Sequence, residues 1–126
     1  MRAFVPSLVA ASFLCLASPA LAQNADFNLT YHVERTPASQ LSIETCGKAV
    51  AQAARTAGMT TNVQTYPGQL VLVSGGTEGR GAFVVQCIAV EKTTVSVVQG
   101  IDYRKSKGAL GNFADQAFAA VKAVID

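Results

Sequence analysis

Residues 80–91, RGAFVVQCIAVE, and 93–102, TTVSVVQGID, are two β-branched runs joined by a short link at Glu91, Lys92 and Thr93. Such runs favour extended backbone, and a link this short joins strands only as an antiparallel hairpin, because a parallel pair needs a crossover of about a dozen residues or more. Any fold for this chain must therefore be built around an antiparallel hairpin. Within the first run, Cys87 shares a side with Phe83, Val85 and Ala89.

The segments on either side extend that pattern. FNLTYHVE (27–34) alternates Phe27, Leu29, Tyr31 and Val33 with Asn28, Thr30, His32 and Glu34, which predicts a strand with the apolar set in the core and the polar set in water. TTNVQTY (60–66) and QLVLVS (69–74) flank Tyr66, Pro67 and Gly68, as two short strands or one strand broken at a sheet edge. SQLSIETCGKAVAQAARTAG (39–58) places Ile43, Cys46, Val50, Ala53, Ala54 and Ala57 at helical spacing, with Gly58 as its C-terminal glycine. LGNFADQAFAAVKAVID (110–126) repeats the stripe with Leu110, Phe113, Ala114, Ala117, Phe118, Val121 and Ile125. The expected fold is α+β, in the order β-α-β-β-β-(β)-α. It is a two-layer sandwich of a mostly antiparallel sheet of four to five strands with two helices on one face.

The first 22 residues belong to a different class of segment. MRAFVPSLVAASFLCLASPALAQ carries Arg2, an apolar run from Ala3 to about Leu16, Pro19, and an A-x-A site at Ala20 and Ala22. This is the pattern of a secretory signal peptide, and the apolar run is shorter than the roughly 20 residues that span a bilayer. A lipid-anchored reading of Cys15 fails because Leu14 is too bulky for that processing. Residues 23–126 are then expected to form one exported α+β domain, periplasmic or secreted, with no membrane span. Without Arg2, nine basic residues face eight acidic ones, too weak a bias for nucleic acid as the partner.

Two cysteines remain beyond the signal segment, Cys46 and Cys87. In an oxidising compartment they read as one disulfide, which closes a loop of about 40 residues and stabilises the fold by roughly 3–4 kcal/mol. The alternative is a pair of buried free thiols packed as small apolar side chains. The helix stripe carries Cys46 and the sheet carries Cys87, so packing and the bridge point to the same juxtaposition. The C-x-x-C spacing of redox-active pairs is absent.

Two loops draw functional readings. VSGGTEGRGAF (73–83) holds four glycines, yet neither phosphate-loop spacing is satisfied, and the residues after Gly81 read as a strand where a phosphate loop requires a helix. It is expected to be a hairpin tip presenting Glu78 and Arg80. DYRKSKGALG (102–111) gathers Arg104, Lys105, Ser106 and Lys107 ahead of a helix N-terminus, with Tyr103 as a stacking surface. Those four residues are the candidate anion site, weighed against a solvated basic connector.

Catalytic constellations are scarce. His32 is the single histidine and is expected at the surface, on the polar side of its strand. No zinc-ligand spacing, nucleophile elbow or haem attachment motif occurs, and no cofactor is implied. Glu34, Glu44, Glu78, Glu91, Asp102 and Asp115 are scattered singly on polar positions, as suits solubility better than paired acid and base work. Asn28-Leu29-Thr30 fits a glycosylation sequon, but it lies within a strand behind a bacterial-type signal.

TPASQLSIETCGKAV, PGQLVLVSGG and AFVVQCIAVEKTTVSVVQGIDYRKSKGALG, together with the A-x-A signal, resemble small exported Gram-negative bacterial proteins grouped as a domain of unknown function. The resemblance covers nearly the whole mature chain and implies a periplasmic address. It carries no activity, ligand or site residue with it. The function expected is a binding or protein-interaction module without catalysis, using the loops at 75–81 and 103–108, with an envelope protein or a small anionic ligand as partner. The alternative is a small periplasmic hydrolase or transferase whose site leaves no sequence signature.

Overall fold

In a computed structural model that describes residues 26–126, Gly81–Val90 (β4) and Thr93–Asp102 (β5) form the hairpin, with Val90 opposite Thr93. The turn is Glu91-Lys92, and Glu91 takes a left-handed φ of 55° that a two-residue hairpin of this twist requires. The segment expected to be a signal peptide, residues 1–22, lies outside the described residues.

Asn28–Pro37 (β1), Thr60–Tyr66 (β2) and Leu70–Thr77 (β3) complete one antiparallel sheet in the order β1-β5-β4-β3-β2. The break at Pro67 and Gly68 makes two strands, with Gly68 at φ 71° in the turn and β2 at the sheet edge, where the missing proline donor costs nothing. Ile43–Thr56 (α1) and Ala109–Ala123 (α2) lie side by side on one face. α1 covers β2, β3 and β4, and α2 covers β5 and β1. The α+β sandwich therefore has five strands and two helices, in the order β-α-β-β-β-β-α.

The core lies between these layers. Val71, Val73, Phe83, Val85 and Val98 from the sheet meet Val50, Ala54, Leu110, Phe113, Ala114, Ala117 and Val121 from the helices. Phe83 and Phe113 pack as a tilted pair with centroids 4.6 Å apart. Cys46 and Cys87 are bridged across the layers, with Cα atoms 6.1 Å apart and a separation of 41 positions in sequence. On the chain-entropy account a loop of that length stabilises the fold by about 4 kcal/mol. Ser42 caps α1, accepting from the Thr45 amide at 3.0 Å, and Gly58 follows its end at φ 72°.

One expectation is reversed. In β1 the polar set faces the helices, and the apolar set faces outward: Leu29 is 47% exposed, Tyr31 64% and Val33 50%. Phe27, just before the strand, is 67% exposed. Alternation shows that a strand has two faces; it does not say which face a helix will cover. Here α2 offers groups that a polar strand face can use. His32 stacks on Phe118 at 4.4 Å and its Nε2 lies 2.8 Å from Asp115 Oδ1, so the histidine expected in solvent is instead pinned against the helix. Thr36 is buried on the same side, and its hydroxyl has no hydrogen-bond partner among the described residues.

Gly75 and Gly76 also depart from the loop reading, since they lie inside β3 and leave Glu78, Gly79 and Arg80 as the tip. A Cβ on Gly75 would overlap the Thr60 carbonyl oxygen and press on the Phe83 ring. Only glycine lets β2 and Phe83 approach this closely.

Candidate functional site

Three places carry chemistry beyond packing. The first is where the two loops meet. The Tyr103 amide donates to the Arg80 carbonyl at 2.8 Å, which ties the β3–β4 tip to the β5–α2 connection. Between them lies a cleft of about 240 Å³ lined by Gly79, Arg80, Asp102, Tyr103, Arg104, Ala109 and Leu110.

The floor of that cleft is built by Asp102, the last residue of β5. α2 begins at Gly108, which has no side chain to cap the helix. Asp102 does this from six residues upstream. Its Oδ2 accepts from the amides of Gly108 at 2.8 Å and Gly111 at 2.9 Å, and its Oδ1 from Leu110 at 3.0 Å. Burial pushes this carboxyl up, but the Gly108, Gly111 and Leu110 amides and the Arg104 charge outweigh it and hold the group below the usual carboxylate value. The helix N-terminus thus already holds an anion supplied by the chain itself.

The predicted anion residues divide around this carboxylate. Arg104 lines the cleft with Arg80, whereas Lys105, Ser106 and Lys107 do not. The Lys105 carbonyl accepts from Asn28 Nδ2 at 3.2 Å, which fastens the loop to β1. Lys107 pairs with Asp115, the residue that also holds His32. The Lys107 and then the His32 hydrogen bonds lower the Asp115 carboxyl. His32, Asp115, Lys107 and Phe118 therefore form a clamp between β1 and α2. No hydroxyl or thiol is hydrogen-bonded to His32 among the described residues, as nucleophilic catalysis would need. Nor do three His, Cys, Asp or Glu side chains converge among those residues to hold a metal ion.

The second place is a groove of about 270 Å³ between α1 and the edge strand β2, floored by Gly47, Ala51, Val63 and Val71 and flanked by Glu44 and Lys48. The third is the face of the sheet that none of the described residues covers, which sequence reasoning missed because it assigned the β1 apolar set to the core. Register places Leu29, Ile101, Ala82, Gly76 and Thr60 in one cross-strand row, Tyr31, Gln99, Val84, Ser74 and Asn62 in the next, then Val33, Val97, Gln86, Leu72 and Gln64, and then Arg35, Val95, Ile88, Leu70 and Tyr66. On β1 and β5 the usual distribution is inverted. Their covered positions hold Asn28, Thr30, His32, Glu34 and Thr36, and Thr94, Ser96, Val98, Gly100 and Asp102, while their open positions hold most of the aliphatic side chains. A signal for this was present in TTVSVVQGID, where Val95, Val97 and Ile101 alternate with Thr94, Ser96 and Asp102.

These features define a small α+β domain, stapled between helix and sheet by a disulfide, with one face of its sheet uncovered by the described residues and largely aliphatic across β1, β5 and β4. The chain belongs to the family of unknown function DUF6180, whose model matches residues 26–125. No curated protein matches it. Among the described residues, no helix is long and apolar enough to cross a membrane.

Proposed function

We propose that this protein is an exported protein-interaction domain, without catalysis, that binds through the open face of its sheet. One observation carries the reading: β1 and β5 turn most of their aliphatic side chains, all but Val98, away from the helices and toward the open side. Contiguous exposed apolar patches beyond a few hundred Å² mark interaction surfaces on soluble proteins. A sheet that needed only the helices for stability would have the opposite pattern on these strands. Export, with removal of residues 1–22 and a periplasmic location, is part of the same proposal. The signal-like segment and the Cys46–Cys87 bridge support it.

The test is the size of the native species in gentle extracts of producing cells. The protein should migrate well above its own mass, and Tyr31→Glu should return it to that mass. Migration at the monomer mass for the unaltered protein would sink the reading. The mass of the purified chain, starting at Gln23, checks export.

A second reading rests on the cleft where the loops meet. Arg80 and Arg104 flank it with Tyr103, so a small anion could be held by the two guanidinium groups, with Lys105, Ser106 and Lys107 on the same connection. Asp102 occupies the helix amides, so the guanidinium groups would have to supply the binding. Arg80→Ala with Arg104→Ala should then abolish retention on a phosphate matrix, and unchanged retention removes this reading.

A further inference from the structure

Resting on the interaction reading, the open face also points to its occupant, and we infer that a second copy of this chain covers it, sheet against sheet, in a two-fold dimer. Three observations converge on a copy over an unlike partner.

The first is size. Five strands at about 4.8 Å spacing and about eight residues of length, each about 3.3 Å, span roughly 24 by 26 Å, or about 600 Å² in projection. Side-chain relief raises the accessible area above that figure, toward the roughly 800 Å² per partner that stable interfaces bury. A flat face of this extent matches a like face, and two sheets pack about 10 Å apart with strands crossing at about 30°.

The second is charge. Arg35 is the single charged residue on the open side of the five strands. It stands on β1, at the margin, where its guanidinium reaches water around the rim. The face holds no acidic or basic pattern with which to select a charged partner, and two copies meet without opposing like charges at the centre. Isologous contact requires a self-complementary patch of this kind.

The third is composition. The middle rows join Val33, Val97, Val95, Ile88, Leu70 and Leu72 with Gln86 and Gln99, and run out toward β2 on Ser74, Asn62 and Gln64. Glutamine side chains both donate and accept, so a copy satisfies them with its own amides. Tyr31 at 64% and Tyr66 at 50% exposure stand on opposite edge strands, as aromatic anchors on either side of the aliphatic rows. The dimer is a four-layer α-β-β-α assembly.

The test is sedimentation of the purified protein. At roughly 10 µM the unaltered protein should sediment as a dimer, and Tyr31→Glu with Val97→Glu should raise its dissociation constant at least about 100-fold. Far-UV circular dichroism and the intact Cys46–Cys87 bridge verify that the variant is folded. A photoreactive benzophenone side chain in place of Tyr31 reports the same contact while keeping the face apolar. Irradiation should give a covalent species of twice the chain mass. A purified protein that stays monomeric to about 100 µM and gives no such species overturns the dimer. If extracts still show a complex lost with Tyr31→Glu, an unlike partner occupies the face and the interaction reading survives. If extracts show none, both fall.

Discussion

Asp102 accepts the Gly108 amide at 2.8 Å, so the last strand ends on the residue that starts the last helix. Asp102→Ala leaves the Leu110 and Gly111 amides buried without partners. Its cost should be roughly 2–4 kcal/mol, above that of an ordinary exposed cap, because three donors lose their acceptor together. Urea unfolding of the two proteins measures it.

The same carboxylate links stability to pH. Its pKa in the folded state is depressed, so its contribution is fully present above the ordinary value of 3.8 and is lost as pH falls through the lower folded value. The urea midpoint should therefore be flat above about pH 5 and fall below about pH 4. Asp102→Asn should show a shallower decline over the acid range. Parallel declines in the two proteins would assign the acid sensitivity to other groups.

Thr36 gives a prediction of opposite sign. Its hydroxyl is buried with no partner among the described residues, and valine has nearly the same shape. Thr36→Val should raise stability by about 1 kcal/mol, seen as a higher melting temperature with unchanged circular dichroism.

Replacing both bridged cysteines tests the staple. Cys46→Ala with Cys87→Ala removes the cross-link between α1 and β4 and should cost about 3–5 kcal/mol, the entropic term plus lost packing at two fully buried sites. Thermal unfolding of the oxidised protein and the variant gives the difference.

Residues on the open face should behave differently. Tyr31 and Val33 touch no helix, so Tyr31→Glu should change the stability of the isolated monomer by less than about 1 kcal/mol. Phe118→Ala removes the stack on His32 and should cost about 2–3 kcal/mol, with β1 amides exchanging faster. Measuring both separates the two faces of one strand.

Much of the architecture was legible because it rests on local signals. The valine runs, the helical stripes and the turn at Pro67 and Gly68 are near-neighbour patterns, and the cysteines lay on surfaces that had to meet. Misreadings arose where a distant residue decides the local outcome. His32 looked solvated because nothing within its own strand announces Phe118 and Asp115, which lie more than 80 positions away. Asp102 looked like one more surface acid, since the helix start without a capping side chain at Gly108 becomes visible only when strand end and helix start are placed together. Gly75 and Gly76 read as loop because their reason for being glycine, the approach of Thr60 and Phe83 to the first and of the Gly81 and Ala82 backbone to the second, is tertiary.

The strand order has a kinetic corollary. β1 pairs only with β5, although it leads the described chain and its partner comes after four intervening elements. While the chain emerges from its N-terminus, β2, β3 and β4 can pair as neighbours before residue 93 has appeared. β1 must wait through the longest loop closure in the domain, with the hydrogen-bonding groups of its backbone unpaired. The strand that emerges first is thus the last to join the sheet, and an unfinished chain carries its greatest aggregation hazard at that end.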